Sequence, residues 1–207
     1  MNWLLIGISI AVAVIVWYCF PANRVGLEKE KTGLLLMILL AGSGSILFQI
    51  YGYTVLKMVR YLILMAAMLL ISRIDKMKML IPNRILAFLC GIRFLLLIGE
   101  CIQNWSSGYL KEVILSPVLG IVIGGGIFYL CYIFTRKSIG AGDVKLFAVI
   151  GFYVGPGVLF PVMLLASLLS AVYCILMVLL HRLKLTDSIP FGPFAAVGTI
   201  FTLLLGF

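Results

Sequence analysis

Acidic side chains are scarce in this chain, with seven aspartates and glutamates against sixteen lysines and arginines and a single histidine, His181, in 207 residues. Charged residues make up 11% of the total and hydrophobic ones 64%, a balance that excludes a water-soluble protein with an apolar core and a polar surface. The mean hydropathy of +1.23 says the same, and the solvent for most of the surface must be lipid. No zinc site is written in the cysteines: Cys19, Cys90, Cys101, Cys131 and Cys174 all lie in apolar runs, with no CxxC and no Cys/His cluster. They are expected to pack as small hydrophobes, and no metal or cofactor is implied. The basic residues are spread along the chain rather than gathered on one face, so the excess charge reports membrane topology and not nucleic-acid binding. Internal repeats and low-complexity linkers are absent too.

What is present is a succession of apolar runs bounded by charges and turn residues. They predict an all-α, polytopic membrane helix bundle with about eight transmembrane segments, near 3–20, 33–50, 59–74, 84–102, 113–134, 144–160, 161–180 and 190–207. The first run lacks the basic start and small-residue cleavage site of a signal peptide, so it is expected to stay as an anchor helix. Charge asymmetry orients the bundle. One side of the expected membrane receives Arg24, Lys29, Lys31, Arg73, Lys76, Lys78, Arg84, Arg136, Lys137, Lys145, Arg182 and Lys184, and the other Lys57, Arg60 and Lys111. Positive residues favour the cytoplasm, which places both termini outside and the loop 73–84 inside. Gly124, Gly125 and Gly126, and Gly151 and Gly155 at GxxxG spacing, are expected to let helix backbones approach closely.

Five of the acids, Glu28, Glu30, Glu100, Glu112 and Asp187, can reach an aqueous loop or boundary. Asp75 and Asp143 are placed differently. The apolar stretch from Tyr61 to Ile74 covers about 21 Å and that from Val144 to Val154 about 17 Å, both short of the roughly 30 Å hydrocarbon thickness. Each aspartate is therefore expected to sit within the cytoplasmic half of the membrane or at its edge. A carboxylate on a membrane helix costs about 2.5 to 3.5 kcal/mol on insertion scales, so it normally faces a partner or a wet cavity. Two carboxyl groups in one cavity cannot both ionise easily, so one can act as a base and the other as an acid. That division suits peptide hydrolysis without a covalent nucleophile.

The residues around the two acids carry further pattern. Gly140-Ala141-Gly142 precedes Asp143, where glycines allow unusual dihedrals and close approach of a substrate strand, and Asp143 is expected to open a helix. Ile81-Pro82-Asn83 follows Asp75 at the head of one span, and Ile189-Pro190-Phe191-Gly192-Pro193 opens the last. Each piece has an ordinary structural role as a helix start, and an N-cap aspartate explains the first equally well. Together they resemble the type IV prepilin peptidase family, whose motifs match Asp75 with Ile81-Pro82-Asn83, Gly140-Ala141-Gly142-Asp143 with Val144-Lys145-Leu146, and Pro190-Phe191-Gly192-Pro193, in family order.

The resemblance implies a GxGD intramembrane aspartic endopeptidase in a prokaryotic cell membrane, with Asp75 and Asp143 catalytic. It would cut the leader of a pilin-like precursor near the cytoplasmic face, with Ile81, Pro82, Asn83, Pro190, Phe191, Gly192 and Pro193 as candidates for positioning substrate. One membrane domain over 1–207 is expected, with two N-terminal helices over 1–58 and a peptidase core over 59–207. The first loop, residues 21–32, lacks the large insertion and zinc-binding cysteines of the longer family members, which argues against N-methylation of the product. A transporter or proton relay using the paired aspartates is the rival reading, and a scaffold whose acids merely pair with basic neighbours is another. Lys145 is expected to be a boundary anchor on another face of its helix. Arg93, within a span, needs a partner that spacing alone does not assign, although Glu100 lies two turns on.

Overall fold

A computed structural model describes residues 7, 30–106, 108–134, 140–182, 184 and 187–207. Among these residues the secondary structure is entirely helical, in six helices: α1 Glu30–Ile50, α2 Val55–Lys78, α3 Asn83–Gln103, α4 Leu110–Phe134, α5 Ala141–Leu179 and α6 Gly192–Leu204. Four of them, α2 to α5, are long and apolar enough to cross a membrane, whereas Met37–Ile50 and α6 are shorter apolar helices. The chain is a membrane protein. The expectation of about eight separate crossings is not met in that form, and the first expected span, 3–20, lies, except for Gly7, outside the described residues, as do Arg24, Lys29, Arg136 and Lys137.

The largest departure concerns the runs 144–160 and 161–180, expected as two spans with a boundary after Phe160. They form one helical run, α5, interrupted at Gly155, whose φ of 75° and ψ of 174° are non-helical and lie where only glycine sits without strain. Past that residue the chain doubles back. Phe147 lies 5.8 Å from Phe191 and Tyr173 lies 5.3 Å from Phe194, ring centre to ring centre, although 147 and 173 would stand about 39 Å apart along a straight helix. The arms 141–154 and 156–179 are therefore antiparallel, and the reversal falls at Gly155-Pro156, where glycine supplies the dihedral and the following proline lacks the amide hydrogen that would bridge the break.

Glycine also sets how tightly α4 meets the first arm. A Cβ on Gly120 would run into the Gly151 carbonyl and one on Gly151 into the Gly120 carbonyl, while a Cβ on Gly124 would meet that of Phe147. Gly120 and Gly124 thus form the α4 side of a small-residue seam, with Gly151 opposite. Two details differ from expectation: Gly126 has open space around it, and Gly155 serves the reversal, against the Ser116 hydroxyl, rather than a GxxxG contact.

Helix α2 is the most enclosed of the four membrane-length helices, burying Met58, Tyr61, Leu64, Met68 and Ile71 among others. The outward faces of α3, α4 and α5 carry Leu95, Ile102, Val122 and Leu164, all strongly exposed, which is the distribution expected when lipid is the solvent. The buried polar groups, Asp75, Arg93 and Glu100 among them, face inward.

Candidate active site

Asp75 belongs to the last turn of α2 and is 5% exposed. The helix ends beyond it because Met79 adopts a left-handed conformation and returns its N–H to the Asp75 carbonyl at 2.8 Å, a C-terminal closure that turns the chain into Leu80-Ile81-Pro82. Lys76 and Lys78 stand exposed, whereas the Asp75 carboxyl turns inward and accepts a hydrogen bond from the Gly192 N–H at 2.7 Å. Gly192 is the first residue of α6, so its amide is one of the donors a helix start leaves unpaired, and the positive end of the helix dipole faces the carboxyl group. A Cβ on Gly192 would lie 2.8 Å from Asp75 Oδ2 and 2.9 Å from Asp75 Cβ. The close approach that seats the acid is open only to glycine.

Asp143 stands in the first turn of α5, half-buried, three residues after the N-cap Gly140, and its N–H reaches the Gly140 carbonyl at 3.0 Å. The cap is made without a side-chain hydrogen bond, so Asp143 is not an N-cap. The Asp75 and Asp143 carboxyl groups lie close enough for their charges to act on each other. Both glycines of Gly140-Ala141-Gly142 have ordinary dihedrals, which corrects the expectation of unusual backbone there. Their use is space: a Cβ on Gly140 would stand 3.1 Å from Asp143 Oδ2, and one on Gly142 would stand 3.2 Å from Ile81 Cβ. Ala141, between them, is exposed at the helix start.

The remaining motif residues converge on the same end of the bundle. Asn83 opens α3 after Pro82, its N-cap, and its Oδ1 accepts a hydrogen bond from Lys145 Nζ at 3.1 Å. Lys145 therefore ties the start of α5 to the start of α3 instead of only anchoring at the boundary. Phe191 packs among Phe128 and Phe147 at ring distances of 5.9 and 5.8 Å, and those two rings stack at 3.9 Å. Pro190 is half-buried before α6, and Pro193 occupies its first turn. Of the residues taken for substrate positioning, Gly192 and Ile81 thus contact the aspartate segments themselves. Phe128 and Phe147 carry no local signal in the sequence, since an apolar ring in an apolar run looks the same whether it faces lipid or the site.

The type IV leader peptidase family model matches residues 62–175, more than half of the chain and a stretch that contains both aspartates. This chain belongs to the type IV leader peptidase family. It is 31% identical over 144 residues to the prepilin leader peptidase/N-methyltransferase of Bacillus subtilis, covering 70% of this chain and 54% of that protein. It is 30% identical over 148 residues to the protein of the same name from Aeromonas salmonicida, covering 70% and 48%. A third relative is the type 4 prepilin-like proteins leader peptide-processing enzyme of Escherichia coli, 30% identical over 145 residues, covering 70% and 51%. The chain spans about half the length of these relatives. No solved structure matches it.

Within this leader peptidase family member the fold unites three sequence motifs through short contacts: Gly192 to Asp75, Gly142 to Ile81, and Lys145 to Asn83. Each contact joins two different helix ends. Among the described residues the Asp75 carboxyl is held by a backbone amide and forms no ion pair.

Proposed function

We propose that the chain is an intramembrane aspartic endopeptidase that removes the leader of prepilin-like precursors, with Asp75 and Asp143 as its catalytic pair. What supports this reading is that the segments bearing the two acids meet at one end of the bundle, where Gly142, beside Asp143, packs against Ile81 in the turn after Asp75. In the proposed reaction the ionised carboxylate takes a proton from water, and the hydroxide so formed attacks the scissile carbonyl. The protonated carboxyl polarises that carbonyl, then delivers its proton to the leaving amine as the C–N bond breaks. The peptidase core is taken as 59–207, a boundary that falls within α2, and residues 81–83 and 190–193 frame the site. Gly192 and Lys145 hold the carboxyl-bearing helix ends, and Phe191 is the residue offered to substrate.

The active site is taken to face the cytoplasm. Exposed Lys76, Lys78 and Lys145 cluster at the end of the bundle where the aspartates lie, and positive residues mark the inner side. A precursor with an apolar helix in the membrane would present the segment preceding that helix at this depth. Cleavage alone is proposed, not N-methylation, in keeping with the absence of cysteine from the sequence between 21 and 32. The family match favours proteolysis over a transport role for the two acids.

The test is co-expression with an epitope-tagged prepilin-like precursor. A shorter product is expected, and it should disappear in both Asp75→Ala and Asp143→Ala while each variant still accumulates in the membrane. Undiminished cleavage in either variant would refute the catalytic pair.

A further inference from the structure

At the opposite end of the bundle lies a second buried polar cluster that proteolysis does not use. Arg93, from the middle of α3, is 1% exposed, and its Nη1 donates to Glu100 Oε2 at 3.0 Å while its Nε donates to the Phe152 carbonyl at 3.0 Å. Arg60, from the first half of α2, donates to the other oxygen, Glu100 Oε1, at 2.9 Å. One carboxylate thus serves two guanidinium groups, and the triad keeps one uncompensated positive charge. The Nε of Arg60 is buried and, among the described residues, has no hydrogen-bond partner.

This triad forms a wall of a cavity of about 280 Å³, lined also by Lys57, Glu112 and Ser116. Lys57 adds a further cation, with its Nζ held 3.6 Å from the centre of the Tyr53 ring. Glu112 is exposed at the first turn of α4 and, among the described residues, forms no ion pair. Three cations therefore surround the space against two carboxylates, one of them already shared. The cavity is remote from the dyad. Arg60 lies fifteen residues before Asp75 on the continuous helix α2, about 22 Å along its axis.

A buried positive charge without a counter-ion is costly in a low-dielectric surround, and an unpaired guanidinium N–H adds to that cost. A bound anion offsets both. The planar donor fork of Arg60 and the compact ammonium of Lys57 suit tetrahedral oxygens, and the volume admits a phosphate group with part of a headgroup. With the aspartates proposed near one face of the bilayer, the distance of about 22 Å that separates Arg60 from Asp75 along α2 carries the cavity toward the headgroup layer of the other leaflet. We propose that this cavity is a binding site for a phosphate-bearing anion, carried by a phospholipid headgroup or free in solution, contacted by Arg60 and Lys57 with Arg93 behind them.

The full chain, purified in a neutral detergent, tests this by thermal melting with added phosphatidylglycerol, phosphatidylcholine or inorganic phosphate, because a ligand bound only by the folded state raises the melting temperature. A saturable rise is expected with phosphatidylglycerol and not with phosphatidylcholine. A comparable rise with inorganic phosphate assigns the site to the free anion, and its absence assigns it to the lipid headgroup. Arg60→Gln and Lys57→Gln should each weaken the apparent affinity by about tenfold, the loss of one charge-assisted contact. Lys57 stands outside the ion pairs, so Lys57→Gln decides the question should Arg60→Gln fold poorly. No rise with either anion, an equal rise with phosphatidylcholine, or an unchanged response in Lys57→Gln would overturn the proposal. Peptide cleavage plays no part in the readout, so this outcome is independent of the proposed proteolysis.

Discussion

The two ends of the helix bundle handle buried charge in opposite ways. Around Asp75 and Asp143, two carboxyl groups are brought to one end of the bundle, the first accepting from the Gly192 amide and the second carried on the turn that starts at Gly140. Around Glu100, opposite charges are brought together and satisfied by side chains, with Arg60 and Arg93 taking one oxygen each. The difference teaches what each cluster can do. An ion-paired triad ties α2 to α3, whereas two acids that form no ion pair among the described residues suit the proton exchange proposed for them.

Substitutions that preserve shape break this contrast most directly. The largest effect is expected from Asp75→Asn and Asp143→Asn, which remove the exchangeable proton and should lower precursor cleavage by at least about a thousandfold, with melting temperature little changed. Glu100→Gln should do the reverse. It strands two guanidinium groups, costing about 3 to 5 kcal/mol of stability, read as a fall in detergent melting temperature. Cleavage by the fraction that remains folded should persist.

Gly192→Ala sharpens the comparison, because the added methyl would press on Asp75 within 3 Å without touching the triad. Displacement of the carboxyl group by about 1 Å is expected to cost roughly a hundredfold in cleavage rate. The turnover of tagged precursor in membranes measures it, and the helical content by circular dichroism should not change. The smallest effect belongs to Asn83→Ala. Loss of its bond to Lys145 removes one charge-assisted contact between α3 and α5, about 1.5 to 3 kcal/mol at most and less for its exposure, visible as a modest drop in melting temperature.

Much of the site was legible before any coordinates. Asp75 and Asp143 stood out because carboxylates interrupt otherwise apolar runs, and the helix start at Asp143 followed from its glycine turn. The short apolar length before Gly155 also pointed to a break there. What the pattern did not convey was direction: a Gly-Pro interruption looks the same whether a helix bends, stops or folds back, since local sequence sets only the dihedrals at the break. Nor did it separate the seam glycines from bystanders, as Gly120 escaped notice while Gly126 did not. Arg93 was recognisable as a residue in need of a partner, yet Arg60 lies thirty-three positions earlier, a distance that no periodicity spans.

By itself the sequence determined the solvent and the helical class and singled out the two acids, because hydropathy, length against bilayer thickness and the expense of a buried carboxylate are properties of residues in order. Only the tertiary structure decided that the Gly192 amide seats Asp75, that α5 turns back at Gly155, and that Glu100 is shared between two arginines. These are contacts between helix ends and faces distant along the chain, and they exist only once helices have packed at particular angles and depths.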